Sequence, residues 1–177
     1  MAVIINADTS DGLKLTSDTS GLLQFQNNGT VLGMVQQVAS TTKTDAFSSS
    51  NTTSFVDITG LSVSITPTST SNKILITGNV FMSASSDGAL GIVKMLRDST
   101  NICQGTNTTF TDVDSLSDLD RATFNHPLNF LDSPSTTSST TYKLQIKTTA
   151  GTVFVNRRGL NASAISTSTI TVMEIAG

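Results

Sequence analysis

The clearest pattern along the chain is the alternation of apolar and polar residues that marks half-buried β-strands. Leu61, Val63 and Ile65 alternate with serines, and Tyr142 and Leu144 begin a second run that continues to residue 146. A period of two places each apolar set on one face, because successive strand residues point to opposite sides of a sheet. Both segments are therefore predicted to be strands that turn their apolar face to a core.

The longest predicted strand, residues 73–83, is apolar on both faces. One face carries four apolar residues, Ile74, Ile76, Val80 and Met82, and the other face carries two, Leu75 and Phe81. Such a strand is predicted to be covered on both sides. Residues 90–97 are predicted to form another strand, with a helix as the alternative.

Further short strands are predicted up to the C-terminus, separated by turns. Val56 to Ile58 leads to a turn at Thr59-Gly60, residues 121–131 form a strand that Pro127 weakens, residues 152–155 pair back across Ala150-Gly151, and residues 168–176 close the chain. About eight strands with frequent turns predict an all-β fold, an antiparallel, jelly-roll-like β-sandwich over residues 54–177.

The N-terminal stretch repeats a turn followed by a short strand. Gly12, Gly21 and Gly29 are spaced by 9 and then 8 residues, and each precedes a short apolar run. Such units bury too little to be stable alone. Residues 1–35 are therefore predicted to be a docking or oligomerisation arm that needs a partner surface, either copies of itself or another protein. The docking residues are predicted to be Leu13, Leu15, Leu22, Leu23, Phe25, Val31, Leu32 and Met34.

The repeat allows one alternative to a docking arm. An ordinary N-terminal hairpin packed on its own domain would also fit the repeat. Residues 36–53 are polar and rich in Ser and Thr, and they are predicted to be a connector with one strand around residues 36–40.

The composition excludes several classes of protein. Serine and threonine make up 55 of the 177 residues, while charged residues are only 13%. Residues that favour helices are scarce, which argues against a helical bundle. Ten Lys and Arg against 13 Asp and Glu, with a pI of about 4.8, argue against a nucleic-acid binder. No apolar run approaches 18 residues, so no membrane insertion is expected, and the first residues do not resemble a signal peptide.

The reactive side chains give little support for catalysis. The only histidine, His126, stands beside Pro127 and is predicted to be a hydrogen-bonded strand residue instead of a base. The only cysteine, Cys103, excludes an internal disulfide and is predicted to be a small buried apolar residue. No cofactor, catalytic residue or metal site is predicted.

Two charged clusters each allow an alternative. The acidic stretch Asp112, Asp114, Asp118 and Asp120 is predicted to be a solvated loop, with a Ca²⁺ site as the alternative. The pair Arg157-Arg158 is expected to meet a carboxylate between strands or subunits, with an anionic sugar or phosphate as the alternative.

A surface with so few charges on many strands favours edge-to-edge pairing, since lysine and other charges normally protect exposed edges. Closing those edges in a symmetric oligomer removes this hazard. Interfaces made of hydroxyl, amide and apolar groups are also expected to be insensitive to salt.

Four segments resemble a family of small phage proteins that look like virion fibre, spike or decoration proteins of marine and freshwater phages, including cyanophages. They are GLKLTSDTSGLLQFQNNGTVLGMV, FVDITGLSVSITPTSTSNKILITGNV, MLRDSTNI and TSTITVMEIAG. The resemblance implies a virion component, usually trimeric, with an N-terminal docking segment and a β-rich C-terminal domain. It implies no catalytic residue.

The predicted function is therefore that of a bacteriophage virion structural protein. It would be a short homotrimeric fibre or spike, or a head decoration protein, made in the host cytoplasm and located in the virion. Its predicted partners are itself and other capsid or tail proteins, with a host surface glycan or protein as a further partner. The alternative is a host-receptor or glycan-binding module at the tip of a tail fibre, and enzymatic activity is not expected.

Overall fold

The computed structural model describes residues 26–27, 30–31, 34–86, 89–103, 115–118, 123–162 and 166–177. The chain divides into two compact units, Met1–Gly33 and Met34–Gly177. In the first unit, β1 (Gln26–Asn27) and β2 (Thr30–Val31) pair antiparallel. They lie on either side of Asn28-Gly29, where the sequence predicts a turn.

The second unit contains eleven described strands. They are β3 (Val35–Lys43), β4 (Phe47–Ser49), β5 (Val56–Ile65), β6 (Lys73–Ala84), β7 (Leu90–Arg97), β8 (Thr100–Asn101), β9 (Ser115–Asp118), β10 (Phe124–Asp132), β11 (Thr140–Thr148), β12 (Val153–Val155) and β13 (Ser168–Ile175). No helix occurs in the described ranges.

These strands form two antiparallel sheets. In the first sheet, β10 pairs with one edge of β6, while β13 and β12 follow one another along its other edge and pair in turn with β3 and β4. In the second sheet, β5 pairs with β11, β11 with β7, and β7 with both β8 and β9.

The order of the main strands identifies the topology. Counted along the chain, β3, β5, β6, β7, β9, β10, β11 and β13 are the first to the eighth. The first sheet then has the order first, eighth, third, sixth, and the second sheet has the order second, seventh, fourth, fifth. Two sheets that share eight strands in this way form a jelly roll, and the predicted all-β sandwich is confirmed.

The core lies between the sheets and follows the alternation of the sequence. The predicted inward sets are buried, with exposures between 0% and 6%: Leu61, Val63 and Ile65; Ile74, Ile76, Val80 and Met82; Tyr142, Leu144 and Ile146. Leu75 and Phe81, on the other face of β6, are only half-buried. The outer side of β6 is therefore less covered than its sequence predicts.

The turn predicted at Thr59-Gly60 is instead a bulge inside one strand. β5 continues from Val56 to Ile65, and its partners on β11 jump from Ser62 opposite Lys143 to Asp57 opposite Gln145. Gly60 has a φ of 84°, a left-handed conformation that glycine adopts without steric cost. The bulge keeps both apolar sets of β5 on the core side.

Two further predictions differ from the structure. β12 pairs with β6 and β4 in the first sheet, and not with β11 across Ala150-Gly151. The polar stretch 36–53 supplies most of β3 and all of β4, where the sequence predicts one strand. Residues 90–97 form a strand, as predicted, and Pro127 lies in β10, whose second edge has no partner strand among the described residues.

Candidate functional site

Most of the predicted docking residues lie outside the described part of the chain. These are Leu13, Leu15, Leu22, Leu23, Phe25 and Leu32, and Val31 is described only as part of β2. Met34 is half-buried, and its carbonyl oxygen accepts a hydrogen bond from the Ala176 amide at 2.9 Å. Met34 thus anchors the start of the sandwich to its last strand, and the docking role of the set stays a prediction.

The outer face of the first sheet carries an apolar row that crosses all four strand positions. The row, in the order β3, β13, β6, β10, consists of Val38, Met173, Leu75 and Leu131. Its two ends are the most exposed, Val38 at 58% and Leu131 at 55%, while its two central residues are half-buried. Next to this row, Val35 is 52% exposed beside Ile175.

The neighbouring part of this outer face, on β3, β13, β6 and β10, is polar but almost uncharged, whereas Arg157 stacks on Phe154 at the β12 end of the same sheet. The two rows beside the apolar row are Ser40, Thr171, Thr77 and Asn129, then Thr42, Thr169, Asn79 and Pro127. Cross-strand bonds hold their side chains, with Ser40 Oγ 2.8 Å from Thr171 Oγ1 and Thr169 Oγ1 donating to Asn79 Oδ1 at 2.8 Å. The row on the other side of the apolar row contains Val35, Ile175 and Lys73. Lys73 is the ionisable member of these four rows, and its Nζ donates to Ser133 Oγ at 2.8 Å.

The outer face of the second sheet differs because it carries charged groups. Lys143 Nζ lies 2.9 Å from Asp57 Oδ2, and Gln145 Nε2 donates to Asp57 Oδ1 at 2.7 Å. Lys94 and Lys147 place their ammonium groups 4.4 Å and 4.7 Å from the centre of the Phe55 ring. The two outer faces of the sandwich are thus chemically unlike, and the uncharged one fits burial in a contact better.

A polar cluster ties the two sheets together at one end of the seam between β10 and β7. Asp132, on β10, accepts hydrogen bonds from Arg97 Nη1 at 2.9 and 3.0 Å and from the Tyr142 hydroxyl at 2.8 Å. Burial, followed by this bond to Asp132, raises the pKa of Tyr142. The Tyr142 hydroxyl, the Asp132 carboxylate and the Arg97 guanidinium therefore form a cross-sheet clasp.

A cavity of about 190 Å³ lies further along the same seam. Five of its nine lining residues have aliphatic or thioether side chains, and the other four are three residues of β10 and one residue that follows β8: Val80, Val93, Met95, Leu128 and Leu144, with His126, Pro127, Asn129 and Cys103. Cys103 is half-buried and Asn129 is exposed, so these two residues border the opening.

His126 is the notable polar group of this cavity. It is only 8% exposed, and its Nδ1 atom is buried without a hydrogen-bond partner. Burial lowers the pKa of His126 from its ordinary value, while the carbonyl groups of Phe124 and Val80 act in the opposite direction. The sequence predicts a hydrogen-bonded strand histidine; His126 lies in β10 with hydrogen bonds to backbone groups, while its Nδ1 atom has no partner.

The two charged clusters of the sequence do not form sites in the described residues. The Arg157 guanidinium stacks on the Phe154 ring, 4.0 Å from its centre, instead of meeting a carboxylate of this part of the chain. Asp112, Asp114 and Asp120 lie outside the described residues, and no group of three potential metal ligands occurs within them. The prediction for the acidic stretch stays a prediction.

Glu174 is a buried residue that the sequence interpretation did not single out. Its carboxylate accepts bonds from the Thr68 amide at 2.7 Å, Thr68 Oγ1 at 2.8 Å, Asn72 Nδ2 at 2.6 Å and Gln37 Nε2. Burial acts to raise the pKa of Glu174, but these donors outweigh it and hold the pKa below its ordinary value. The cluster fixes the β5–β6 loop to β3 and β13, so its role is structural.

No family model matches the chain, and no curated protein matches it. Among solved structures, a chain of infectious bursal disease virus, Gx strain, has 16% identity over 87% of this chain, with a TM-score of 0.46. Particles of the T=1 type derived from that virus give 15% identity, 96% coverage and a TM-score of 0.44. Its VP2 subviral particle gives 16%, 96% and 0.43.

The present chain spans less than half of each of these solved chains, between 43% and 45%. Separately, no helix in the described part of the chain is both long and apolar enough to cross a membrane.

Proposed function

We propose that this protein is a structural component of a bacteriophage virion, a short homotrimeric fibre or spike, or a head decoration protein. Its sandwich would be held in place by contacts of the N-terminal segment, and its uncharged sheet face would lie against other copies or other virion proteins. The feature that favours this role most is the contrast between the two outer faces of the jelly roll. One face carries Asp57, Lys94, Lys143 and Lys147, while the other carries an exposed apolar row.

The size of the uncharged face suits a repeated, weak contact. Four strands about 4.8 Å apart and about eight residues long at about 3.3 Å each cover on the order of 500 Å². A stable interface of standard size buries about 800 Å² on each partner. One face alone is smaller than such an interface, so in this proposal the N-terminal segment supplies the remaining contact within the trimer, and many copies joined in one particle gain strength through avidity.

The N-terminal segment supplies a second contact in this proposal. Its eight predicted docking residues, from Leu13 to Met34, are grouped in short apolar runs that cannot bury themselves. Jelly rolls occur in viral shells, in lectins and in cupins. The resemblance of four segments to small phage virion proteins favours the first of these classes.

The test introduces one negative charge into each face. Leu131→Asp adds a carboxylate to an exposed end of the apolar row, and Ser62→Asp adds one to the charged face, opposite Lys143. We expect the wild-type chain and Ser62→Asp to have a mass about three times 18.5 kDa by light scattering, and Leu131→Asp to be monomeric with an unchanged β-sheet spectrum. An equal mass of the two variants would contradict the role of the apolar row in assembly.

The virion location needs its own measurement. Antibody-gold labelling of particles purified from an infected culture should mark the particle at repeated positions. A chain that is produced during infection but is absent from washed particles would contradict the proposed function, whatever its oligomeric state.

A further inference from the structure

The cavity beside His126 has the composition of a binding site for a small molecule. Its wall includes Val80, Val93 and Leu144, which are core residues with exposures of 0% or 1%. Protein cores are normally filled to the density of organic crystals, so a space of about 190 Å³ inside a sandwich is unusual. It lies where β7 and β11 pass behind β10, next to the clasp of Arg97 and Asp132.

The unpartnered Nδ1 atom of His126 indicates the hydrogen-bonding chemistry of an occupant. Among the described residues, two buried side-chain atoms have no hydrogen-bond partner, Asn101 Nδ2 and His126 Nδ1, and of these two residues only His126 lines the cavity. A molecule with an apolar body and one O–H or N–H group would satisfy His126 Nδ1 and fill the remaining space.

The volume limits the size of that molecule. An apolar cavity of about 150 Å³ accepts benzene, so a space of about 190 Å³ accommodates one ring with one or two further heavy atoms. Entry is available at the rim, where Cys103 is half-buried and Pro127 and Asn129 are exposed.

We infer that the seam cavity binds a small, neutral, mainly apolar molecule with a single hydrogen-bond donor, which donates to Nδ1 of His126. In this arrangement Nε2 of His126 carries the ring proton, and the aliphatic wall encloses the apolar body. The wall of this site uses none of the residues of the apolar row, but Pro127 and Asn129 at its opening belong to the polar rows of the uncharged face.

The test uses phenol as the probe and toluene as a probe of the same shape without a donor. Because His126 is the only histidine, ¹⁵N spectra of the full-length labelled protein contain a single imidazole whose Nδ1 is observed directly. Phenol should shift this signal saturably and raise the unfolding temperature, and it should bind about fivefold more tightly than toluene, as expected for one neutral hydrogen bond.

Two variants separate the donor contact from the space. His126→Phe keeps an aromatic side chain but removes the acceptor, so phenol and toluene should then bind equally. Cys103→Phe adds volume at the opening and should weaken the binding of both probes. Folding of each variant is checked by its β-sheet spectrum, and if either variant fails to fold, the two probes on the wild-type protein still decide the matter.

Three outcomes would overturn the inference. The first is the absence of a saturable shift of the His126 signal up to about ten millimolar phenol. The second is equal affinity of phenol and toluene for the wild-type protein, which would remove the donor contact. The third is an increase of the unfolding temperature by phenol that is the same in His126→Phe as in the wild-type protein, which would show that phenol binds elsewhere.

Discussion

At the scale of single residues, Glu174 shows how one buried carboxylate organises its surroundings. It is the only glutamate of the chain, and it receives hydrogen bonds from three residues that come from β3 and the β5–β6 loop. A buried carboxylate is tolerated only when such donors replace the water that it has lost. Glu174 is therefore a structural residue.

Replacing Glu174 by Gln should destabilise the protein by about 2 kcal/mol, because bonds to a charged acceptor are lost and an amide donor is buried among other donors. Urea unfolding at neutral pH measures this loss. The matched control is Asp57→Asn, the same chemical change on an exposed carboxylate, which should cost less than about 1 kcal/mol. A loss from Glu174→Gln no larger than the control would contradict the structural role.

The lowered pKa of Glu174 also predicts a dependence on pH. Its carboxylate resists protonation in the folded chain, while in the unfolded chain it titrates near its ordinary value of 4.5. Its contribution is therefore complete above about pH 4.5 and is lost as the pH falls. The wild-type protein should lose its stability advantage over Glu174→Gln in this range, as measured by urea unfolding from pH 5 to pH 3.

His126 predicts a second effect of pH at a higher value. Because its pKa is lowered from 6.5, the unfolded chain binds a proton more readily than the folded chain below this pH. Stability should be complete above about pH 6.5 and decrease as the pH falls toward 5. The decrease should be absent in His126→Phe, because no other histidine titrates. A decrease that persists in the variant would assign it to other groups.

The alternation of the sequence indicates which side chains face the core but not which polar groups meet there. Glu174 shares a strand face with Ile170 and Val172, so its inward direction follows from period two. Its donors Gln37 and Asn72 are 137 and 102 residues away along the chain. No local pattern connects such distant residues. For the same reason, the cavity beside His126 could not be predicted.

At the scale of elements, glycine occupies two strand positions that have a positive φ. Gly78 has a φ of 154°, and a Cβ at this position would lie 2.2 Å from the Thr169 carbonyl oxygen. Gly60 has a φ of 84°, but the nearest atom to its Cβ position is Lys43 Nζ at 3.6 Å. The first position is restricted by both conformation and space, whereas the second is restricted by conformation alone.

Alanine should therefore cost more at Gly78 than at Gly60. Gly78→Ala must move β6 away from β13 and is expected to lose about 3 kcal/mol or more, in the range typical of backbone strain in a core. Gly60→Ala is expected to lose about 1 to 2 kcal/mol for its left-handed conformation. Thermal unfolding of both variants measures the two losses of stability. An equal loss would show that β6 and β13 move apart near Thr169 without a measurable cost in stability.

Local patterns predict the strands more readily than the partners of those strands. The alternation over 61–65 and 142–146 locates β5 and β11, and both are confirmed. The short strand β12 follows β11 after only four residues, which favours a hairpin, yet it extends the line of β13 beside β6. The pairing of β12 with β6 buries Val153 and Val155 in the common core, and this burial is a property of the whole sandwich.

At the scale of the whole molecule, the two compact units separate at Gly33 and Met34. The bond from the Ala176 amide to the Met34 carbonyl ties the beginning of the second unit to its end. The fold of the second unit therefore includes β3 from its first residue. The resemblance to virion proteins concerns strands and turns, so it favoured this fold without locating a chemical site.

Assembly through the uncharged face predicts an unusual response to salt. The rows of this face contain one ionisable residue, Lys73, so ions have almost no attraction between copies to screen. At about 1 M NaCl the Debye length falls to about 3 Å, while burial of Val38 and Leu131 is not weakened. The mass of the wild-type assembly, measured by sedimentation, should be the same at about 0.1 M and about 1 M NaCl. Dissociation at high salt would show that ion pairs hold the copies together, and the contact would then have to involve the charged face around Asp57 and Lys143.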